Sequence, residues 1–174
     1  MSQDALSRIL FPVFVVQRIG SRFMPPITES KMTVRTRLKH RPIELDEWGH
    51  VPAAPSNGAF VVFVGIVRDN QDGRKVAAIR YHAHIALAEK LLADIESTAA
   101  KNFGVEAMVA HAVGHLEVGE ASLLVHVQGG HRGESFDACR WVVDTIKKSV
   151  PIWKEDFFVD GKRHFQVGVP IQPV

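Results

Sequence analysis

Two lysines flank a proline in the segment Lys147-Lys148-Ser149-Val150-Pro151-Ile152-Trp153-Lys154-Glu155-Asp156. Pro151 lacks a backbone donor and disfavours the α region at Val150, so a helix carrying Lys147 is predicted to stop before it. Lys147 then sits at a helix end, and Lys154 returns on an extended arm that Trp153 can anchor. Two ammonium groups brought together repel unless an anion lies between them. The spacing therefore points to a site for an anionic substrate, although last-turn lysines also occur simply because they favour the helix dipole.

A second basic element lies upstream in Gly129-Gly130-His131-Arg132-Gly133-Glu134-Ser135-Phe136. Before it, Leu123, Leu124, Val125 and Val127 mark a strand over 121–128. After it, Phe136, Cys139, Val143 and Ile146 recur at helical spacing and predict a buried stripe. The His-Arg pair is thus expected in a strand-to-helix loop. There, free backbone N–H groups and the helix dipole favour a phosphate or carboxylate, and flanking glycines allow close backbone approach. No nucleotide P-loop motif is present.

Other reactive side chains carry less. Cys139 is the only cysteine, which excludes an intrachain disulfide and a two-cysteine relay. It falls on the apolar stripe and is expected to be buried as a small hydrophobe. His111 and His115 have the i, i+4 spacing of zinc ligands on a helix, but strand character and Val113-Gly114 argue against a helix there. His82 and His84 would share one strand face with no third ligand evident. Neither a metal nor another resident cofactor is expected, and Ser135 and Ser149 lack a triad context.

The elements that position these groups can be placed coarsely. The apolar run 60–67 predicts an interior strand, the run Asp69-Asn70-Gln71-Asp72-Gly73 a loop or hairpin turn, and 76–82 a second strand. Leu87, Leu91, Ile95 and Thr98 mark a helix over about 85–102 with Gly104 as its stop. A strand over 105–113, a turn over 114–119 and the strand 121–128 follow. Two strand–strand–helix passages predict an α+β domain with a mainly antiparallel sheet and packed helices.

At 174 residues, 46% hydrophobic and 23% charged, the chain fits one globular domain. A formal net charge of +2 without a basic tract gives no footprint for nucleic acid. No apolar run reaches the ~20 residues of a membrane span. Residues 1–31 differ from the rest and make a poor signal or transit peptide, so they are expected to be a disordered extension or a start-site artefact. The domain proper is expected over 32–174.

Three blocks then occur in one order: Gly58-Ala59-Phe60-Val61-Val62-Phe63-Val64-Gly65-Ile66-Val67-Arg68-Asp69, the Gly130-His131-Arg132 block with Phe136 and Ala138, and Lys147 with Pro151-Ile152-Trp153-Lys154-Glu155. In order and approximate spacing they resemble the signature of the molybdopterin synthase catalytic (large) subunit family, over about residues 40–165. The resemblance implies a hammerhead-like α+β fold and a cytoplasmic sulfurtransferase of molybdenum cofactor biosynthesis. Its partner would be a small ubiquitin-like sulfur carrier with a C-terminal thiocarboxylate, and its substrate cyclic pyranopterin monophosphate. By position, Lys147 and Lys154 match the catalytic lysines. Ile66, Val67, Arg68, His131, Arg132, Glu155 and Asp156 match, or adjoin, the substrate pocket. A lysine serving as base would need its ordinary pKa, near ~10.4, lowered. The family also implies a homodimer whose protomers complete each other's sites, and with one carrier per protomer a heterotetramer.

The chain departs from the family pattern at Tyr81-His82-Ala83-His84, at His111-Ala112-Val113-Gly114 and in its neutral tail. Two alternatives stay open: a non-catalytic relative that binds the carrier, which the histidine substitutions favour, and an unrelated phosphate-ester-binding enzyme.

Overall fold

Nine strands and two helices make up the fold in a computed structural model describing residues 36–44 and 54–166. The expected extension over 1–31 lies outside these residues, which all belong to the unit Arg35–Val174. In chain order the elements are β1 (Leu38–Lys39), β2 (Ala59–Ile66), β3 (Asn70–Gln71), β4 (Arg74–Ala83), α1 (Ile85–Phe103), β5 (Glu106–Ala112), β6 (Gly114–Glu117), β7 (Ala121–Gly129), α2 (Arg132–Ser149), β8 (Ile152–Phe158) and β9 (Arg163–Phe165).

Two sheets divide the strands. The first has the order β1-β5-β7-β2, antiparallel except for the β1–β5 pair. The second has the order β3-β4-β8-β9, with β6 also paired to β4, all antiparallel. The α+β architecture with mainly antiparallel pairing is as expected. The β3–β4 hairpin turns through Asp72 and Gly73, whose φ values of 51° and 80° suit a two-residue turn between right-twisted strands.

Strand β7 is buried along its whole length, and its alternation divides the core. Leu123, Val125 and Val127 face one cluster with Leu92 and Ile95 of α1 and Val142 and Ile146 of α2. Leu124 faces a second cluster with Ile79, Leu116 and Phe158 of the other sheet. Burying side chains of this size contributes about 1.5–3 kcal/mol each.

Helix α1 starts where the His84 ring nitrogen Nδ1 accepts the Leu87 N–H at 3.3 Å. It ends at Gly104, whose φ of 65° is left-handed and whose N–H reaches Ala100 O. The helix runs over Ile85–Phe103, close to the expected span, and its buried positions are Ala88, Leu92, Ile95 and Ala99. Small alanines on the contact face let the helix approach the sheet closely, while the larger leucines beside them are only partly covered.

Three expectations are corrected. The apolar run 60–67 was expected to be interior, yet β2 pairs only with β7 among the described residues and leaves Phe60, Val62 and Ile66 exposed. An apolar run signals two faces needing cover, but not that one protomer supplies both. Residues 114–117 form β6 instead of a turn: Gly114, at φ 97°, redirects the chain out of the first sheet and onto β4 of the second. Phe136 is exposed, and the inner face of α2 is Ser135, Ala138, Cys139, Val142, Val143 and Ile146. Ser135 fits there because its hydroxyl donates to His131 O at 2.9 Å and packs close to Gly129.

Candidate active site

Helix α2 ends at Ser149, and Val150 leaves the helical region at ψ 129° before Pro151. Lys147 is consequently exposed on the last turn, where its charge complements the helix dipole. Ile152 starts β8 immediately, so the predicted extended arm is a strand of the second sheet. Trp153 lies opposite His82 in register and is half-buried.

Strand alternation then sorts the residues that follow. Lys154 and Asp156 share one face, and Lys154 Nζ lies 2.7 Å from Oδ1 of the fully buried Asp156. Gln166 ties the pair from the C-terminal side: its side-chain amide donates to Asp156 Oδ2 at 3.1 Å and its backbone N–H to Lys154 O at 2.9 Å. Glu155 points to the opposite face, buried, with Oε2 3.0 Å from His82 Nε2 and Oε1 3.9 Å from Arg163.

On the Lys154 face a cleft of about 830 Å³ opens between the end of α2, β8 and the end of β2. Lys147, Lys148, Lys154 and Arg68 line it, and among the described residues no carboxylate does. Arg68 enters from the turn after β2, which is held from below by buried Val67. The Val67 N–H donates to Glu120 O at 2.9 Å, and its carbonyl accepts the Gly119 N–H at 2.8 Å. Ile66 lies on the cleft wall beside Phe63 and Ile146. Four cations in a half-apolar cleft favour an anion, because screening is weaker there than in water.

Sequence reading missed a neutral wall of the same cleft. Tyr81 of β4, His111 of β5 and Ser122 of β7 all line it. The Tyr81 and His111 rings meet edge-on at 4.9 Å, and the Ser122 hydroxyl donates to Gly65 O at 3.1 Å. Burial raises the Tyr81 phenol above its ordinary pKa, so it remains a hydroxyl. Burial also lowers His111 to about 4, so its ring is neutral. These residues sit on three strands from both sheets, and only the pairing brings them together.

His131 and Arg132 lie elsewhere. His131 caps the start of α2 with extended backbone and no side-chain cap bond, and Arg132 is the first helical residue; both are exposed. At about 1.5 Å per residue, Arg132 and Lys147 are roughly 22 Å apart along the helix axis. Side chains cannot close that gap within one protomer. The structure thus brings together Lys147, Lys154, Arg68 and Ile66, keeps Val67 and Asp156 as buried supports, turns Glu155 away, and holds His131 and Arg132 at the far end of α2.

Among the described residues the histidines form no ligand cluster. His111 and His115 lie on separate strands, while His84 caps α1 and His82 faces Glu155. Among the described residues no group of three or more His, Cys, Asp or Glu could hold a metal ion. Cys139 is buried on the inner face of α2, and burial raises its thiol pKa, which suppresses the reactive thiolate.

The two-sheet α+β scaffold has counterparts among known proteins. The profile of the family described as MoaE protein matches residues 38–149. The molybdopterin synthase catalytic subunit of Pyrococcus abyssi is 39% identical over 144 residues, covering 79% of this chain and 97% of the relative. That of Thermoplasma volcanium is 41% identical over 108 residues, covering 62% and 79%. Among solved structures, molybdopterin synthase from Staphylococcus aureus aligns with a TM-score of 0.71 at 29% identity, covering 76% of this chain and 96% of that one. A complex of subunits 1 and 2 of molybdopterin-converting factor from Helicobacter pylori aligns with a TM-score of 0.56 at 29% identity, covering 66% and 77%. The chain belongs to the MoaE protein family.

Proposed function

We propose that this chain is the catalytic subunit of a molybdopterin synthase, transferring sulfur from the thiocarboxylated C-terminus of a small ubiquitin-like carrier to cyclic pyranopterin monophosphate. The observation that carries the reading is the cleft that gathers Lys147, Lys154 and Arg68 with no carboxylate among the described residues that line it. Both reactants are anionic at their reacting ends, and both need cations there.

The chemistry follows from the reactants. A thiocarboxylate is a charged sulfur nucleophile. As its sulfur bonds to a side-chain carbon of the pterin, a carbon–oxygen bond at that carbon breaks, the oxygen leaving with the ring phosphate or as water, and the carrier remains attached as a thioester. Water then cleaves the acyl–sulfur bond, leaving sulfur on the pterin and a carboxylate on the carrier. A product with two sulfurs consumes two tails. Lys147, exposed and without a carboxylate partner among the described residues, is placed to meet the tail and to pass a proton as sulfur adds. Lys154, held by Asp156, supplies a fixed positive charge.

His131 and Arg132 bind the substrate phosphate of the neighbouring protomer's site, through the guanidinium fork and the start of α2. The distance along α2 supports this assignment, because one protomer cannot bring both ends of the helix to one substrate. The exposed apolar residues Phe60, Val62 and Ile66 on β2 supply surface for the homodimer, and one carrier per protomer makes a heterotetramer. The Helicobacter pylori relative, solved as a complex of two subunits, supports the carrier partnership. A cytoplasmic location belongs to the same proposal, since a carrier protein and a small phosphorylated substrate must both reach the cleft.

The test is reconstitution. Purified chain, thiocarboxylated carrier and pterin substrate should yield carrier ending in carboxylate together with a dithiolene product. Substrate-independent loss of the carrier's sulfur, with no sulfur gained by the pterin, would contradict the assignment.

A further inference from the structure

His111 contributes a feature that cation-based recognition does not use. Its Nδ1 lies 2.7 Å from the carbonyl oxygen of Ala112. A carbonyl only accepts, so Nδ1 carries the proton. The ring is 6% exposed and its pKa is lowered by burial, which keeps it neutral. A neutral imidazole protonated at Nδ1 has a bare lone pair at Nε2. The ring lines the cleft, wedged edge-on by Tyr81. No protein donor reaches Nε2 among the described residues.

We infer that His111 is a specificity-determining residue of the cleft, whose Nε2 accepts a hydrogen bond from a ring or amino N–H of the pterin. This rests on the function proposed above and divides the cleft by chemistry. The cations take the anionic ends of the reactants, and the neutral wall takes the heterocycle. An obligate acceptor at Nε2 rejects any group that presents a carbonyl or phosphate oxygen there, because two lone pairs would face each other at the cost of an unmade bond. The anionic end cannot therefore bind in the pterin's place, and the substrate has one orientation.

The experiment measures equilibrium binding of cyclic pyranopterin monophosphate and, separately, of inorganic phosphate to the full chain and to His111→Phe and His111→Gln. Phe fills similar space without an acceptor, and Gln offers a carbonyl oxygen. His111→Phe should weaken pterin binding about tenfold, the worth of one hydrogen bond of ordinary strength, and leave phosphate binding unchanged. His111→Gln should fall between Phe and wild type. Equal pterin affinity in wild type and a folded His111→Phe would overturn the inference. So would equal weakening for both ligands, which marks a structural role. If wild type itself fails to bind the pterin, the proposed function fails and this inference falls with it. Should His111→Phe not fold, the imidazole nitrogen resonances of wild type decide: the His111 Nε2 signal should move on adding the pterin and stay fixed on adding phosphate, and an unmoved signal with bound pterin overturns the inference.

Discussion

The ammonium of Lys154 sits 2.7 Å from a carboxylate oxygen of Asp156 whose side chain has no exposure at all, whereas Lys147, in the same cleft, has no carboxylate partner among the described residues. The Lys154 contact is charge against charge rather than a well-aligned hydrogen bond. The two lysines that look equivalent in the sequence therefore have different physical standing.

That difference is measurable in stability. Removing Lys154 leaves a buried carboxylate uncompensated except by the Gln166 amide, and Lys154→Ala should cost about 3 kcal/mol. Lys147→Ala removes an exposed helix-end side chain and should stay within about 0.5 kcal/mol. Lys147→Ala should nonetheless abolish sulfur transfer. Denaturant unfolding and the reconstituted assay together check the contrast, and normal turnover by Lys147→Ala would end its catalytic assignment.

Arg132→Ala should raise the dissociation constant of the pterin substrate more than it slows the chemistry of the bound complex, because a phosphate contact acts mainly on binding. Arg132→Lys should restore charge without the two-pronged fork and recover only part of the affinity. Unchanged affinity in Arg132→Ala would make the residue a solvated turn position.

Gly129 holds the entrance to α2. A Cβ there would lie 2.7 Å from Ser135 Oγ and 2.9 Å from Val105 Cγ1. Gly129→Ala should therefore destabilise the fold by about 1–3 kcal/mol through overpacking. Adding Ser135→Ala should recover part of the loss, read from the unfolding midpoint of each variant.

His111 also sets an acid limb. Its ordinary pKa of 6.5 falls to about 4 in the folded protein. The unfolded chain thus takes up a proton first as pH falls, and folding stability declines between those values. The contribution is fully present above the unfolded pKa and lost on passing the folded one; its full size is on the order of 3 kcal/mol. His111→Gln should lack this component, so the stability gap between the variant and wild type should change across that window. Parallel curves would show that the ring is not buried neutral.

Much of this was legible in the residues, for local reasons. Pro151 stops α2, Gly104 stops α1, and the glycine-flanked His131–Arg132 pair lies at a helix start, because each depends on neighbours in sequence. The Lys154–Asp156 pair was within reach too. Once the arm is a strand, alternation puts those residues on one face and Glu155 on the other. The exposure of β2 was not legible, because an apolar run does not say which molecule covers it. Nor was the Tyr81–His111–Ser122 wall, since three strands from two sheets meet there only in the folded chain.

The central claim is that each active site combines lysines of one protomer with the His131–Arg132 pair of another. The direct measurement mixes Lys147→Ala with Arg132→Ala at a pterin concentration well below the raised dissociation constant of Arg132→Ala, where each variant alone is inactive, lets protomers exchange, and assays sulfur transfer. In a hybrid dimer one site carries both defects and the other carries neither, so part of the wild-type activity should return. Hybrids that form and remain inactive would contradict the shared site and would leave His131 and Arg132 outside it.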